Sequence, residues 1–326
     1  MELVNFFNLN SFKKNSSIDI SVVVPCYATH DCINPLYERL KKVLEGINLS
    51  FEIIFINDGS PQQDWSVINQ LTKNDDRVKG INFARNFGQH IAITAGLDFS
   101  TGRWVIVMDA DLQDVPEEIV KFYAKAQEGY DIVLGRRINR SDGILKKFGS
   151  WLFYKIYDMI TDQVTDNTVS NYGIYSRTVV DSFCSMREKV RNFSQFIKWL
   201  GFNQVYINID HAKRYSGKSS YDLWRMIRLA SHTITALSNK PLLISVQLGS
   251  AIAMLAFTYG LYLILKYLFF GISVTGWTSL MVSIYFLAGM ILMNIGILGI
   301  YIGKIFDEVK KRPLYVIKDT SNLDFK

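Results

Sequence analysis

Two long runs without a formal charge near the C-terminal end constrain this chain most. Lys240 and Lys266 bracket 25 uncharged residues, and Lys266 and Lys304 bracket 37 more. As helix, the first run is roughly 36 Å long at about 1.5 Å per residue. A hydrocarbon core is about 30 Å thick, so each run is long enough to cross it with some tilt. A pair of buried core helices is the alternative, and charge-free runs of this length weigh against it. The expectation is a two-helix transmembrane hairpin over 241–303, with FFGISVTG as its turn. Lys213, Arg214, Lys218, Arg225, Arg228 and Lys240 precede the hairpin, and Lys304, Lys310, Lys311 and Arg312 follow it. Positive residues stay inside, so both ends are expected in the cytoplasm of a multi-pass inner (plasma) membrane protein, with 304–326 as a cytoplasmic tail. Gly299 and Gly303, and Gly249 and Ala253, have the spacing that lets helices approach closely. Packing within the hairpin and a homo-oligomer are both open on that pattern. Asn294 is expected to hydrogen-bond to a neighbouring helix.

The segment just before the hairpin, YDLWRMIRLASHTITALSN (221–239), alternates polar and apolar positions at spacings of three and four. With Trp224, Arg225 and Arg228 it is expected to form an amphipathic helix in the membrane interface. Elsewhere, 49% apolar and 20% charged residues exclude general disorder. The net charge of +6 gathers around the apolar block and lacks an interleaved aromatic platform, so no nucleic-acid partner is expected. Cys26, Cys32 and Cys184 form no CxxC pair and read as reduced thiols. Residues 1–18 carry their basic residues after the apolar ones, an N-terminal extension rather than a signal peptide.

Between them, 19–220 reads as one α/β catalytic domain. The runs DISVVVP, FEIIFIN, VKGINFA, RWVIVMD and YDIVLG are strand-like, and helical stretches fall near 33–46, 63–74, 88–99 and 116–128. Near-continuous β-branched runs suit strands covered on both faces, which implies a mostly parallel, doubly wound sheet. Such sheets bind ligands at the carboxyl ends of their strands. The chain places Pro25-Cys26-Tyr27, Asn57-Asp58-Gly59-Ser60, Ala84 to Gly88, Asp109 to Asp114 and Gly135-Arg136-Arg137 there. No GxGxxG follows the first strand and no GxxxxGK[ST] occurs, so the nicotinamide and P-loop readings lose their main support.

Asp109-Ala110-Asp111 is the sharpest of these signals. Two carboxylates at i and i+2, where a strand gives way to a loop, aim at one point. With a diphosphate beside them they suit Mg²⁺ or Mn²⁺, which neutralises a departing nucleoside diphosphate. Asp114 reads as the N-cap of a helix beginning at Pro116. Asp58 either orders its own turn or hydrogen-bonds a nucleobase or ribose. His90 opens a helix and reads as a hydrogen-bonded structural residue, and His211 borders a loop rich in Lys, Arg, Gly and Ser.

The series VVVPCY, FINDGS, ARNFGQH, MDADLQDVPEE and DIVLGRR, followed by SNYGIYSR, KRYSGKSSY, paired spans and EVKKRPLY, resembles the GT-A glycosyltransferases of family 2. Within them it is similar to the dolichyl-phosphate-mannose-synthase-like branch, including bacterial polyprenyl-phosphate glycosyltransferases of the bactoprenol glucosyltransferase type. The resemblance runs from about residue 19 to 317. It implies a GT-A fold, a nucleotide-sugar donor, a divalent metal and a membrane-embedded polyprenyl phosphate acceptor. It implies nucleotide contacts from Pro25, Tyr27, Asp58, Ala110 and Asp111, and metal ligation by Asp109, Asp111 and Gln113. Arg136, Arg137, Arg214 and Ser219 would hold phosphates. One departure stands out: PxYNEE is usual after the first strand, whereas this chain has Ala28-Thr29-His30-Asp31 after Tyr27, leaving Asp31 as the acidic candidate.

A phosphate acceptor changes the chemistry required. A phosphate monoester is mostly dianionic at pH 7, so the nucleophile needs no general base. The protein must instead supply positive charge, from RRINRSDGILKK and from HAKRYSGKSS, which is also a candidate lid. For Lys146 and Lys147, contact with anionic lipid is the preferred reading. The expectation is single transfer of a hexose, UDP-glucose or a related UDP-hexose first, to undecaprenyl phosphate with inversion. The competing readings are a transferase or polysaccharide synthase acting on a hydroxyl, suggested by Gln195 to Trp199, and a non-catalytic membrane scaffold.

Overall fold

The computed structural model describes residues 18–137, 169–210, 240–270 and 276–323. They divide into two compact units: the first takes residues up to 137, 169–210 and 313–323, the second 240–312.

The first unit is an eight-stranded sheet with helices. Its elements are β1 (Ile20–Cys26), α1 (His30–Gly46), β2 (Phe51–Asn57), α2 (Asp64–Asn74), β3 (Val78–Phe83), α3 (Gln89–Phe99), β4 (Trp104–Val107), a 3₁₀ turn (Pro116–Glu118), α4 (Ile119–Ala126) and β5 (Ile132–Arg137). After the undescribed stretch come β6 (Val169–Ser176), α5 (Arg177–Ser185), α6 (Phe193–Trp199), β7 (Gln204–Ile209) and, at the far end of the chain, β8 (Ile317–Ser321). The five strand-like runs and four helical stretches of the sequence all form. The strand order is β7-β5-β6-β4-β1-β2-β3-β8. β1 pairs parallel with β2 and β4, and β2 with β3. Every residue of β1 and β2 is buried, as a strand covered on both faces demands.

Three strands break the expected βα alternation. β6 inserts antiparallel between β4 and β5. β7 adds parallel to β5 at one edge. β8 lies antiparallel on β3 at the other, so the tail expected as a separate segment contributes a strand to this sheet.

At the amino ends of the strands, the buried Glu52 carboxylate ties several elements together. It accepts from Ser21 Oγ at 2.5 Å, from Thr101 N–H at 2.6 Å and Oγ1 at 2.9 Å, and pairs with Lys79. Burial opposes its ionisation, but the hydrogen bonds from Lys79, Ser21 and Thr101 hold its carboxyl below the usual range. All three cysteines are free.

The second unit is a helical hairpin of α7 (Lys240–Phe270) and α8 (Trp277–Val309). Within them, Leu242–Tyr262 and Ser283–Val309 are long and apolar enough to cross a membrane. α8 runs through Lys304 to Val309, six residues past the expected end of the hairpin. Asn294 accepts from Ser245 Oγ on α7 and donates to Met290 O at 2.9 Å, so its interhelical bond lies within the hairpin. Among the described residues, a methyl group at Gly249, Gly299 or Gly303 would meet nothing within 4 Å.

Candidate active site

Topology gathers the motif residues on one edge. β1 to β4 run in one sense, so their carboxyl ends lie together. β6 opposes both β4 and β5, which gives β5 the sense of β4, and β7 follows β5. The segments after β1, β2, β3, β4 and β5 therefore share that edge, as the parallel-sheet rule anticipates.

The loop after β4 carries Asp109 and Asp111, both half-buried, around the buried Ala110. Leu112 is left-handed (φ 62°), which turns the chain sharply. Gln113 N–H donates to Asp111 Oδ1 at 3.1 Å. Asp114, only 1% exposed, accepts from Asp109 N–H at 3.0 Å. The expected N-cap role of Asp114 gives way to this: Val115 occupies the cap position of the Pro116 turn, and Asp114 closes the acidic loop on itself. Tyr172 on β6 donates its hydroxyl to Val115 O at 2.7 Å, pinning the loop from a neighbouring strand. Gln89, the first residue of α3, donates Nε2 to Asp109 Oδ1 at 2.6 Å. Sequence reasoning assigned Gln89 no role; its position right after the β3 loop, on the same edge as Asp109, was the available signal.

Asp58 is buried at 3% exposure. Its carboxylate accepts from Phe87 N–H at 2.7 Å, Gly88 N–H at 2.9 Å and Asn86 Nδ2 at 3.0 Å. Burial raises its carboxyl, against the two backbone donors and the Arg85 charge, which favour the anion. Asp58 thus orders its turn and the next loop together. A carboxylate has about four acceptor sites, so acceptor capacity remains for a donor-bearing ligand. Gly59 has φ +60° and packs so close that an added Cβ would lie 2.4 Å from Arg85 C. Gly88, at φ +99°, is the N-cap of α3. Only glycine takes both positions without strain.

Pro25 sits near the end of β1, beyond the last β4 partner at Val23, where a missing N–H is tolerated. Tyr27 is 50% exposed at the same edge. Ala28 is left-handed (φ 56°) and donates its N–H to Ser60 Oγ at 3.1 Å, and Thr29 donates to Asp64 at 3.0 Å. Asp31 lies exposed in the first turn of α1. At the end of β5, the exposed Arg136 stacks over Tyr206 of β7 at 5.2 Å, after an irregularity in the β5–β6 register. Arg137 is the last residue of β5. Arg214, Ser219, His211, Lys146, Lys147, the candidate lid and the interfacial segment 221–239 lie outside the described residues.

His90 Nδ1 accepts from Phe193 N–H at 3.3 Å, joining α3 to α6. Burial, reinforced by Arg191, lowers its imidazole to about 4, so it is neutral and structural at pH 7.

Among the described residues no three His, Cys, Asp or Glu side chains gather for a metal ion. Asp109, Asp111 and the Gln113 amide carry hard oxygen donors on one loop and would supply only part of a coordination shell. Such a set fits Mg²⁺ or Mn²⁺ when phosphate oxygens and water complete the coordination.

Residues 21–183 match the family model "Glycosyl transferase family 2". A prophage bactoprenol glucosyl transferase homolog of Escherichia coli is 38% identical over 92% of this chain and 98% of its own. The bactoprenol glucosyl transferase of Shigella phage SfII is 38% identical over 92% and 97%, and an uncharacterized glycosyltransferase of Synechocystis 35% identical over 95% and 98%. Among solved structures, glucosyl-3-phosphoglycerate synthase from Mycobacterium tuberculosis with Mn²⁺, UDP-glucose and phosphoglyceric acid aligns at 15% identity and TM-score 0.48, covering 67% of this chain and 78% of its own.

Proposed function

Because the chain belongs to glycosyl transferase family 2, we propose that it moves a hexose from a nucleotide sugar, UDP-glucose first, to undecaprenyl phosphate in a single inverting transfer. The observation that carries this reading is the acidic loop after β4, braced by Asp114, Tyr172 and Gln89 at the carboxyl edge of the sheet. The relatives named bactoprenol glucosyl transferases support the acceptor and the sugar, since they match over nearly their whole length.

In this proposal Pro25, Tyr27, Asp58, Ala110 and Asp111 hold the nucleotide. Tyr27 offers an exposed ring for stacking, and Asp58 an anion already oriented by three donors. Asp109, Asp111 and Gln113 would hold Mg²⁺ or Mn²⁺, which supplies charge neutralisation to the leaving diphosphate. Arg136, Arg137, Arg214 and Ser219 bring the acceptor phosphate to the sugar. An acceptor oxygen then forms a bond to C1 as the bond from C1 to the diphosphate oxygen breaks. Direct displacement inverts C1. The acceptor is already ionised, so no side chain takes a proton from it.

The topology also supports a hairpin that enters and leaves the bilayer on one side. The first unit contains chain from both before and after the two apolar helices, and an even number of crossings suits that path. The basic flanks on both sides of the hairpin support a cytoplasmic side for the catalytic domain.

A donor panel tests the proposal. Membranes carrying the chain are given labelled UDP- and GDP-sugars with Mg²⁺ or Mn²⁺ and undecaprenyl phosphate, and organic-extractable label is scored. Label from UDP-glucose is expected to enter the lipid as a single hexose. Polymeric product, or transfer only to a hydroxyl acceptor, would replace this reading with the competing one.

A further inference from the structure

The C-terminal tail reaches the nucleotide side of the candidate site through a pile of aromatic rings. β8 pairs with β3 in a register that ends at Phe83 opposite Ile317. One step further, Ala84 N–H donates to Val316 O at 3.0 Å. The Tyr315 ring stacks on the buried Phe83, with centroids 5.3 Å apart and planes 16° from parallel. Phe83 meets Phe87 edge-on at 5.5 Å. Phe87 in turn carries one of the N–H groups that hold Asp58, at 2.7 Å. The near end of the pile is fixed as well. Tyr315 donates its hydroxyl to Asp98 Oδ2 at 2.7 Å, and Arg187 grips the same carboxylate at 2.8 and 2.9 Å. Burial raises the Tyr315 phenol, so it remains a donor at neutral pH.

Between these anchors the loop is open. Ala84, Arg85 and Asn86 are all exposed. Its conformation is held by the Asp58 bonds, the close approach of Gly59, the Arg85 guanidinium over the Phe87 ring at 4.1 Å, the Val316 link and the ring stack.

We infer that Tyr315 is a positioning residue for donor binding, acting through Phe83 and Phe87 on the loop that orients Asp58. This rests on the proposed glycosyl-transfer function. A loop freed of the ring stack must be ordered when the donor binds, and that entropy weakens donor affinity. The acceptor phosphate is handled by other residues, so its affinity is expected to stay unchanged.

The test uses the full chain in membranes, with UDP-glucose, Mn²⁺ and undecaprenyl phosphate. Tyr315→Leu, which loses the stack and the hydroxyl, is expected to raise the donor KM about threefold to tenfold, the worth of one aromatic pair. Its acceptor KM is expected to match wild type. Tyr315→Phe, which keeps the ring, is expected to restore most of the donor KM. Asn322→Ala removes the tail's bonds to Thr72 O (2.6 Å) and Val78 O (2.9 Å) and serves as the control. It is expected to lower thermal stability and leave the donor KM alone. An unchanged donor KM in Tyr315→Leu, an equal shift in acceptor KM, or an equal shift in Asn322→Ala would overturn the inference. If Tyr315→Leu does not fold, Phe87→Leu reads the other end of the pile by the same criteria. Wild-type protein that transfers no sugar from any donor defeats the enzymatic reading; an active wild type with a silent Tyr315→Leu defeats this inference alone.

Discussion

Acidification of His90 is expected to loosen the helix that carries both loop anchors. His90 is the second residue of α3, beside Gln89, which bonds Asp109, and Gly88, which bonds Asp58. Its Nδ1 accepts from Phe193 N–H, so protonation there breaks the clasp between α3 and α6. Burial disfavours the cation first, and the nearby Arg191 adds repulsion. The positive end of the α3 dipole acts in the same direction. The imidazole falls from 6.5 to about 4 on folding. A lowered basic group means that the unfolded chain binds more protons between those values. The stabilisation is therefore fully present above pH 6.5 and is lost as pH falls towards 4. At about 1.36 kcal/mol per unit, the whole window is worth about 3 kcal/mol, of which about 2 kcal/mol is gone by pH 5. Other groups titrate in the same range, so the measurement is a difference. Denaturant unfolding of wild type and His90→Asn is followed from pH 8 to 5. The gap between the two stability curves is expected to close by about 2 kcal/mol on acidification. Curves that stay parallel over that range would refute the burial argument.

Asp111→Ala is expected to abolish sugar transfer while membrane insertion stays intact, read by label transfer and membrane fractionation; normal turnover would remove Asp111 from the metal site. Gln89→Ala leaves Asp109 without its amide partner and is expected to raise the Mn²⁺ concentration for half-maximal activity about threefold to tenfold, the worth of one such hydrogen bond. An unchanged metal titration would show that Gln89 does not position Asp109. Gly59→Ala sets a Cβ against the Arg85 backbone in a left-handed residue, and is expected to cost about 2–3 kcal/mol in thermal or denaturant unfolding. A cost within about 0.5 kcal/mol, the ordinary range for surface changes, would mean that the two loops do not approach this closely in solution.

The legible part of the site was its set of strand ends. Asp58, Asp109 and Asp111 follow runs of β-branched residues, and a parallel sheet brings the ends of such runs to one edge. The braces were less legible. Gln89, Tyr172 and Asp114 act on the acidic loop from α3, β6 and its own far end. Each bond depends on where an element lands in three dimensions. Asp114 shows the difficulty: a carboxylate two residues before a Pro-initiated turn reads as a cap, yet it bonds backwards to Asp109.

Local pattern along the chain was enough for part of the architecture. Runs of buried β-branched residues specified five strands, their spacing specified the helices, and long charge-free runs specified a pair of apolar helices. These properties depend on the chemistry of neighbouring residues, so a linear reading finds them. The places of β6, β7 and β8 came from folding in three dimensions. β8, with the sequence IKDTS, has little apolar signal, and its strand state comes from pairing with the free edge of β3. That pairing turns a polar tail into part of the sheet and sets Tyr315 against Phe83. Contacts between residues more than 200 positions apart leave no local periodicity in the chain, so the folded molecule alone reveals them.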